Sequence, residues 1–435
     1  MKRKFAVAAA LAATMLVAAA CGTSHDTSGT PNATASVDGK GKTLKVWLMV
    51  DAQSGWKNVV DDANARFTAA TGANVQVDYQ QWPDHLAKLD ATLAGSDVPD
   101  VVELGNTEIP KYVFNGAFAE LAKSQYENSG DWLTGLSAPC ELDGKTYCVP
   151  YYAGARTLIY RTDLFKAAGL SAPTTYADLL TAAKTLKAKN GSNKKFSSFY
   201  FPGSYVYGGM AFVYGSKGQI AKQDGGKWVS TLSEPGAQEG LTKWADLVKT
   251  YSVGDKTKNE LDQDAIFAQG QSAMIYGSSW ELGAVQEQAK DPNNPNSPKI
   301  ATKVKDKVAA VAMPEIPSFL GGSDIAVPVK SANKDLAAQW SKIFTDTKSQ
   351  QALIAKGALP NATSLLAQAA AVKGNEASAA AAKSSWFVPM APKWADVESA
   401  NVLPQMLVSI ATGKATVADA TKKADGQINQ ILNGS

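Results

Sequence analysis

Three Cys, two His and forty Asp or Glu are the raw material for reaction chemistry in this 435-residue chain. His25 falls in a polar stretch, and His85 sits near a helix start, where a surface position is expected. A zinc site built on His and Cys therefore has no supply of ligands. There is no Gly-x-Ser-x-Gly elbow to raise a nucleophilic serine. Nor is there a Gly-x4-Gly-Lys-Ser/Thr loop to hold phosphate. A paired acid and nucleophile, as in a glycoside hydrolase, is not excluded by counting carboxylates. No metal or cofactor is expected.

Two of the cysteines have a structural use. Cys140 and Cys148 flank Glu141-Leu142-Asp143-Gly144-Lys145-Thr146-Tyr147. A three-residue hairpin loop, Asp143-Gly144-Lys145, would set them opposite each other. In an exported chain a disulfide is the natural outcome. Nothing nearby would lower a thiol pKa, so a redox function is not expected.

The third cysteine bears on localisation. Lys2, Arg3 and Lys4 precede an apolar stretch from Phe5 to Ala20, and Cys21 follows Ala18-Ala19-Ala20. The stretch is short for a mature membrane span and reads as an export signal. Its end resembles the lipobox of bacterial lipoproteins, with Ala18 where Leu is usual; an acylated Cys21 is implied. Ordinary cleavage leaving a free Cys is the plainer alternative. Gly22 to Lys42 is Gly-, Ser-, Thr- and Asn-rich and reads as a flexible tether. The net charge of +3 is spread along the chain without a basic tract, so no nucleic-acid partner is expected.

The body from about Thr43 to Ser435 suits two lobes. Thr43 to Val50 is a buried-strand pattern, followed by a loop at Asp51 to Gly55 and a helix that Gly72 stops. A strand at Asn74 to Tyr79, a helix at about Asp84 to Ala94 and a short strand at Val101 to Leu104 continue the alternation. That order predicts an α/β fold with parallel sheets. Thr175 and Asp178 have capping-box spacing before a helix at about Tyr176 to Ala188. Phe199 to Tyr214 reads as a Gly-rich aromatic loop, Asp291 to Pro298 as a Pro/Asn loop, and Leu365 to Ala382 as helical.

Five segments in order resemble the extracellular solute-binding proteins of carbohydrate ABC importers, the group that includes maltose-binding proteins. They are Ala94 to Val101, Asp143 to Pro150, Ile159 to Gly169, Phe267 to Trp280, and Gly321 to Ala337. Segments such as Gln80 to Asp90 and Cys148 to Arg156 also resemble actinobacterial binding proteins for N,N′-diacetylchitobiose and N-acetylglucosamine. The resemblance implies a two-lobed periplasmic-binding-protein-like fold of type II, with a ligand cleft between hinged lobes. Residues 1–20 would be the signal and 21–42 the tether. Residues 43–150 plus about 324–375 would form lobe 1, and 151–323 plus about 376–435 lobe 2. Crossings are expected near Val149 to Gly154, near Leu320 to Asp324, and between Asn361 and Ser384. The implied partners are a sugar, ABC permease subunits with a separate ATPase, and the membrane through the anchor. A monomer without enzymatic activity is expected.

A sugar ring has apolar C–H faces and a rim of hydroxyls, so its site needs flat aromatic faces and planar polar groups. Trp280 matches a ligand-stacking Trp of the family; a core Trp is the alternative. Tyr151 and Tyr152 fall at the first crossing, where one would face the ligand and the other pack. Arg156 could donate a bidentate pair to hydroxyls or an acetamido oxygen, or form a salt bridge between lobes. Asp51, Gln53, Trp82 and Asn106 follow strands, at the carboxyl ends where open sheets bind ligands; for Asn106 an Asx-turn competes. One of Tyr205 and Tyr207 is expected to contribute, with Ser279 beside Trp280. Asp324 at the second crossing would accept from hydroxyls or brace the hinge. Trp386 and Trp394 share the role of a late-segment aromatic, without the spacing to choose between them. A receptor for a peptide or polyamine stays open as another reading.

Overall fold

The computed structural model describes residues 37–82, 84–289 and 300–434. The signal segment, Cys21 and the Asp291 to Pro298 loop lie outside the described residues. Of the tether, residues 37–42 are described, and they lie against the body. Val37 packs on the first core, Gly39 N–H donates to Thr71 O, and Asn74 N–H donates to Lys42 O. Among the described residues no helix is long and apolar enough to cross a membrane.

The strand Thr43–Met49 alternates, with Leu44, Val46 and Leu48 wholly buried. It pairs in parallel with Asn74–Gln80 on one side and Val101–Gly105 on the other. Gly321–Ala326 and Cys148–Gly154 then add antiparallel strands, giving a five-stranded sheet. Helices Val50–Thr71 and Lys334–Phe344 cover one face through Val60, Phe67, Trp340 and Phe344. The second sheet has Arg156–Arg161 at its centre, antiparallel to both Met274–Ser278 and Val308–Val311. It belongs to a separate core around Phe201, Phe212, Trp244, Leu407 and Ile428. The expectation of parallel sheets therefore holds for three strands only. The physical reason is that the chain re-enters the first sheet through crossing segments, and a returning strand runs antiparallel.

Two strands pass between the sheets with almost no linker. Cys148–Gly154 belongs to the first sheet and Arg156–Arg161 to the second, with Ala155 between them. Ser318–Phe319, which pairs in parallel with Ser385–Trp386, is joined to Gly321–Ala326 of the first sheet through Leu320. A third core gathers Leu133, Ala155, Leu320, Leu359 and Ala379 around these passages. Farther on, Asn361 bonds Pro150 O, while Ser318 N–H donates to Ser384 O.

Several local expectations are corrected. Asp51 to Gly55 is not a loop but the first turns of Val50–Thr71, whose break comes at Trp56 (φ −148°, ψ 40°). The aromatic stretch after Phe199 forms the helix Val206–Gly215. Its glycines weaken it locally but admit neighbours: a Cβ on Gly208 would lie 2.7 Å from Phe201. Leu365 to Ala382 is broken into Leu366–Ala370 and Glu376–Ala381. The Thr175–Asp178 capping box is present as read.

The cysteine hairpin has a two-residue turn, not three. Asp143 and Gly144 take φ 51° and 75°, and Leu142 pairs with Lys145. Cys140 then faces Tyr147 in register, and the bridge runs diagonally to Cys148. Both sulfurs are fully buried, on the face carrying Leu104 and Phe118. Replacing both cysteines by Ser should cost roughly 2–3 kcal/mol on the chain-entropy account of a short loop. Urea unfolding measures it; a change within error would mean that packing alone holds the hairpin.

Candidate functional site

The first crossing carries an irregularity that decides where two tyrosines go. Ser323 pairs with Tyr152 but Asp324 pairs with Pro150, so Tyr151 is a bulge. Adjacent strand residues ordinarily point to opposite faces; a bulge lets both turn the same way. Tyr151 and Tyr152 accordingly enter one core, with ring centroids 4.9 Å apart and edge to face. The Tyr151 carbonyl, off the ladder, accepts from Gln350 Nε2 at 2.8 Å. Trp56 closes the group: its Nε1–H donates to the Tyr151 hydroxyl at 2.6 Å, and its ring lies 4.9 Å from Tyr152. Both are buried, Tyr151 at 0% exposure and Tyr152 at 8%.

On the same lobe, Asp51 and Trp82 meet at the ends of neighbouring parallel strands. Trp82 Nε1–H donates to Asp51 Oδ2. The Trp82 carbonyl lies 2.6 Å from His85 Nδ1, and His85 Nε2 lies 2.9 Å from Glu108. His85 is thus not a surface residue; it is buried and joins the turns after two strands. Burial opposes its charged form, but the Glu108 hydrogen bond and charge outweigh that, and its pKa is raised. Gln53 projects into solvent from the first helical turn. Asn106 is a strut: its Nδ2 donates to Gly135 O and Leu320 O, and its backbone N–H to Gly322 O.

The second lobe supplies a cation among rings. Arg156 is 7% exposed, and its hydrogen-bond partners among the described residues are Ser318, Tyr205 and Phe319, with no carboxylate among them. Its Nε–H donates to the Tyr205 hydroxyl at 2.7 Å. Its guanidinium lies 4.7 Å from the Tyr207 ring and 5.1 Å from Phe319, within cation–π range. Tyr207 and Phe319 are themselves stacked, centroids 4.2 Å apart. Among the described residues Arg156 forms no salt bridge, and rings rather than carboxylates surround its guanidinium. Trp386 stacks on Tyr214 and touches Phe319. Trp394 is 1% exposed in the second core, and its Nε1–H donates to Glu398.

Trp280 stands apart as an aromatic that is 58% exposed. Ser278 pairs with Arg156 at the end of an antiparallel ladder. The chain then turns into the helix Ser279–Glu287, whose second residue is Trp280. Its ring lies over Gly154: a Cβ there would clash with Trp280 Cζ3 and lie 3.4 Å from Ser279 Oγ. Trp280 and Ser279 are therefore brought to Gly154 at the first crossing, two residues from Arg156 in the chain. Asp324 is not. It is fully buried behind the sheet, within 4.8 Å of the cysteine sulfurs, and neither of its oxygens is hydrogen-bonded.

The two lobes meet across this region. Thr107 lies near Tyr207, and the Glu108 charge acts on Glu398. Burial first, and then the Glu108 charge, push Glu398 up to about 7. Burial likewise pushes Glu103 up to about 7, although Met49 N–H donates to it. His85, Thr107, Glu108, Phe319 and Glu398 were not picked out in the sequence. The one signal available was His85 lying three residues beyond Trp82.

A two-lobed α/β body with polar and aromatic side chains gathered where the strands cross defines a receptor architecture, and the comparisons agree. The chain belongs to the bacterial extracellular solute-binding protein family, which matches residues 62–424. Among characterised relatives, the diacetylchitobiose binding protein DasA of Streptomyces coelicolor is 33% identical, over 99% of each chain. Two solved structures show the same fold. The maltose-binding periplasmic protein of Listeria monocytogenes has a TM-score of 0.73 at 21% identity, covering 89% of this chain and 97% of that one. The GacH receptor of Streptomyces glaucescens gives 0.72 at 20%, covering 90% and 99%.

Proposed function

We propose that this protein is the sugar-capturing component of an ABC importer, that its ligand is N,N′-diacetylchitobiose or a close N-acetylglucosamine oligomer, and that it does no chemistry on what it binds. The observation that carries the reading is the end-to-end 33% identity to a diacetylchitobiose binding protein. In this reading the ligand lies between the lobes. Trp280 offers a face for the C–H side of a ring. Arg156, a buried cation that forms no ion pair among the described residues, offers hydrogen bonds to an acetamido oxygen. Asp51, Trp82 and Glu108 approach from the other lobe. Bonds from both sides form only when the lobes close, so the ligand favours the closed state, and that state docks on the permease. The ATPase is a separate chain. Affinity is expected in the micromolar range, about 8 kcal/mol. Cys21 is the proposed anchor, holding a monomer at the outer face of the membrane.

A thermal-shift panel tests the ligand: diacetylchitobiose, N-acetylglucosamine, maltose, cellobiose, trehalose, xylobiose and spermidine. Diacetylchitobiose should raise the melting temperature most. A larger shift with maltose or xylobiose would move the protein to another sugar, and a shift with spermidine alone would end the sugar reading.

A further inference from the structure

An aromatic ring that is 58% exposed has little packing of its own to set its plane. Apart from the edge over Gly154, the direction of the Trp280 indole is inherited from the backbone that carries it. That backbone is a turn, where the strand Met274–Ser278 runs straight into the helix Ser279–Glu287. Glu281, the third residue of the helix, is buried and bends back so that its Oε1 accepts from Ser278 N–H at 2.9 Å. This is the return arm of a capping box. The same carboxylate accepts from Gln263 Nε2, at 2.9 and 3.1 Å to its two oxygens. Gln263 is fully buried, and its Nε2 also lies 3.1 Å from Tyr276 O. One carboxyl thus ties together the end of the strand, the start of the helix and a residue of the preceding helix. Gly277 leaves it room, since a Cβ there would lie 3.0 Å from Glu281 Oε2.

We propose that Glu281, held by Gln263, is a positioning residue for Trp280: it fixes the strand-to-helix turn so that the indole stands over Gly154 at the crossing, and ligand affinity depends on it without contact. The proposal rests on the reading that Trp280 stacks on the ligand. A group placed this way acts as the supporting shell that a binding side chain needs. Burial pushes the Glu281 carboxyl up to about 8, against the Ser278 N–H that lowers it. A plain helix cap at the surface would carry no such cost, so the buried placement is itself informative.

The test has a ligand-free arm and a binding arm. In 5-fluorotryptophan-labelled protein, the Trp280 fluorine resonance is assigned by its loss in Trp280→Phe. In Glu281→Ala it should narrow and move toward the free-residue position while the other indoles stay; in Glu281→Gln it should largely stay. Gln263→Met keeps Glu281 and should reproduce part of the shift, which covers the case of a poorly folding Glu281→Ala. A Trp280 resonance unmoved in Glu281→Ala and Gln263→Met overturns the proposal. In the binding arm, calorimetric titration with diacetylchitobiose should find Glu281→Ala weakened five- to tenfold. In a Trp280→Ala background the same change should add less than twofold, the mark of two residues acting as one. A full additional loss in that background would make Glu281 a general stabiliser and overturn the proposal. If Trp280→Ala alone leaves affinity intact, it is the stacking reading that falls, and the fluorine result still judges the turn.

Discussion

Trp280→Ala should weaken diacetylchitobiose binding at least tenfold, more than about 1.4 kcal/mol, while the ligand-free melting temperature barely moves. The two halves of that expectation share one cause. A ring that is 58% exposed contributes little to the folded core, so its loss opens no cavity. Yet a sugar face laid on it would remove that same surface from water, at about 25 cal/mol per Å² of apolar area, with a further stacking gain. Calorimetric titration beside thermal unfolding separates the two halves. Unchanged affinity would take Trp280 out of the site. A large fall in melting temperature would instead give it a packing role that its exposure denies.

Arg156→Lys should cost roughly ten- to hundredfold in diacetylchitobiose affinity, the range for a hydrogen bond to a charged group. The substitution keeps the charge and removes the planar fork. It also loses the Nε–H bond to Tyr205 and the stacking under Tyr207 and Phe319, so the ligand-free protein should be measurably less stable. What identifies the role is selectivity. If Arg156 reads an acetamido oxygen, the preference for diacetylchitobiose over cellobiose should collapse in the variant. A preference that survives while both affinities fall equally would assign Arg156 to shaping the ring cluster.

Much of the local structure was legible because its signals span only a few residues. The alternation in Thr43–Met49, the αL glycine at position 72 that ends the first helix, and the Thr175 capping box each depend on a few neighbouring residues. The segment ending in Trp280 could be named from the pattern of its own residues. Other features were misread for an equally physical reason. Helix propensity and glycine content argue for a loop at Phe199 to Tyr214, yet packing against Phe201 and Leu407 overrides them. Setting the two cysteines directly opposite asks for a three-residue turn, whereas the left-handed pair Asp143-Gly144 closes the hairpin in two.

By itself, then, the sequence determined the α/β class, the order of the elements, the Cys140–Cys148 pairing, and the family, because each is carried by short-range pattern or ordered motif. Only the tertiary structure decided which side chains meet. The bulge at Tyr151 turns two neighbouring tyrosines into one core. The turn from the strand Met274–Ser278 into the helix Ser279–Glu287 delivers Trp280 to Gly154. Chain crossings bring Phe319 over Arg156 and Glu398 toward Glu108. None of these is written in any local stretch, because strand register and side-chain facing are set by pairing between segments far apart in the chain.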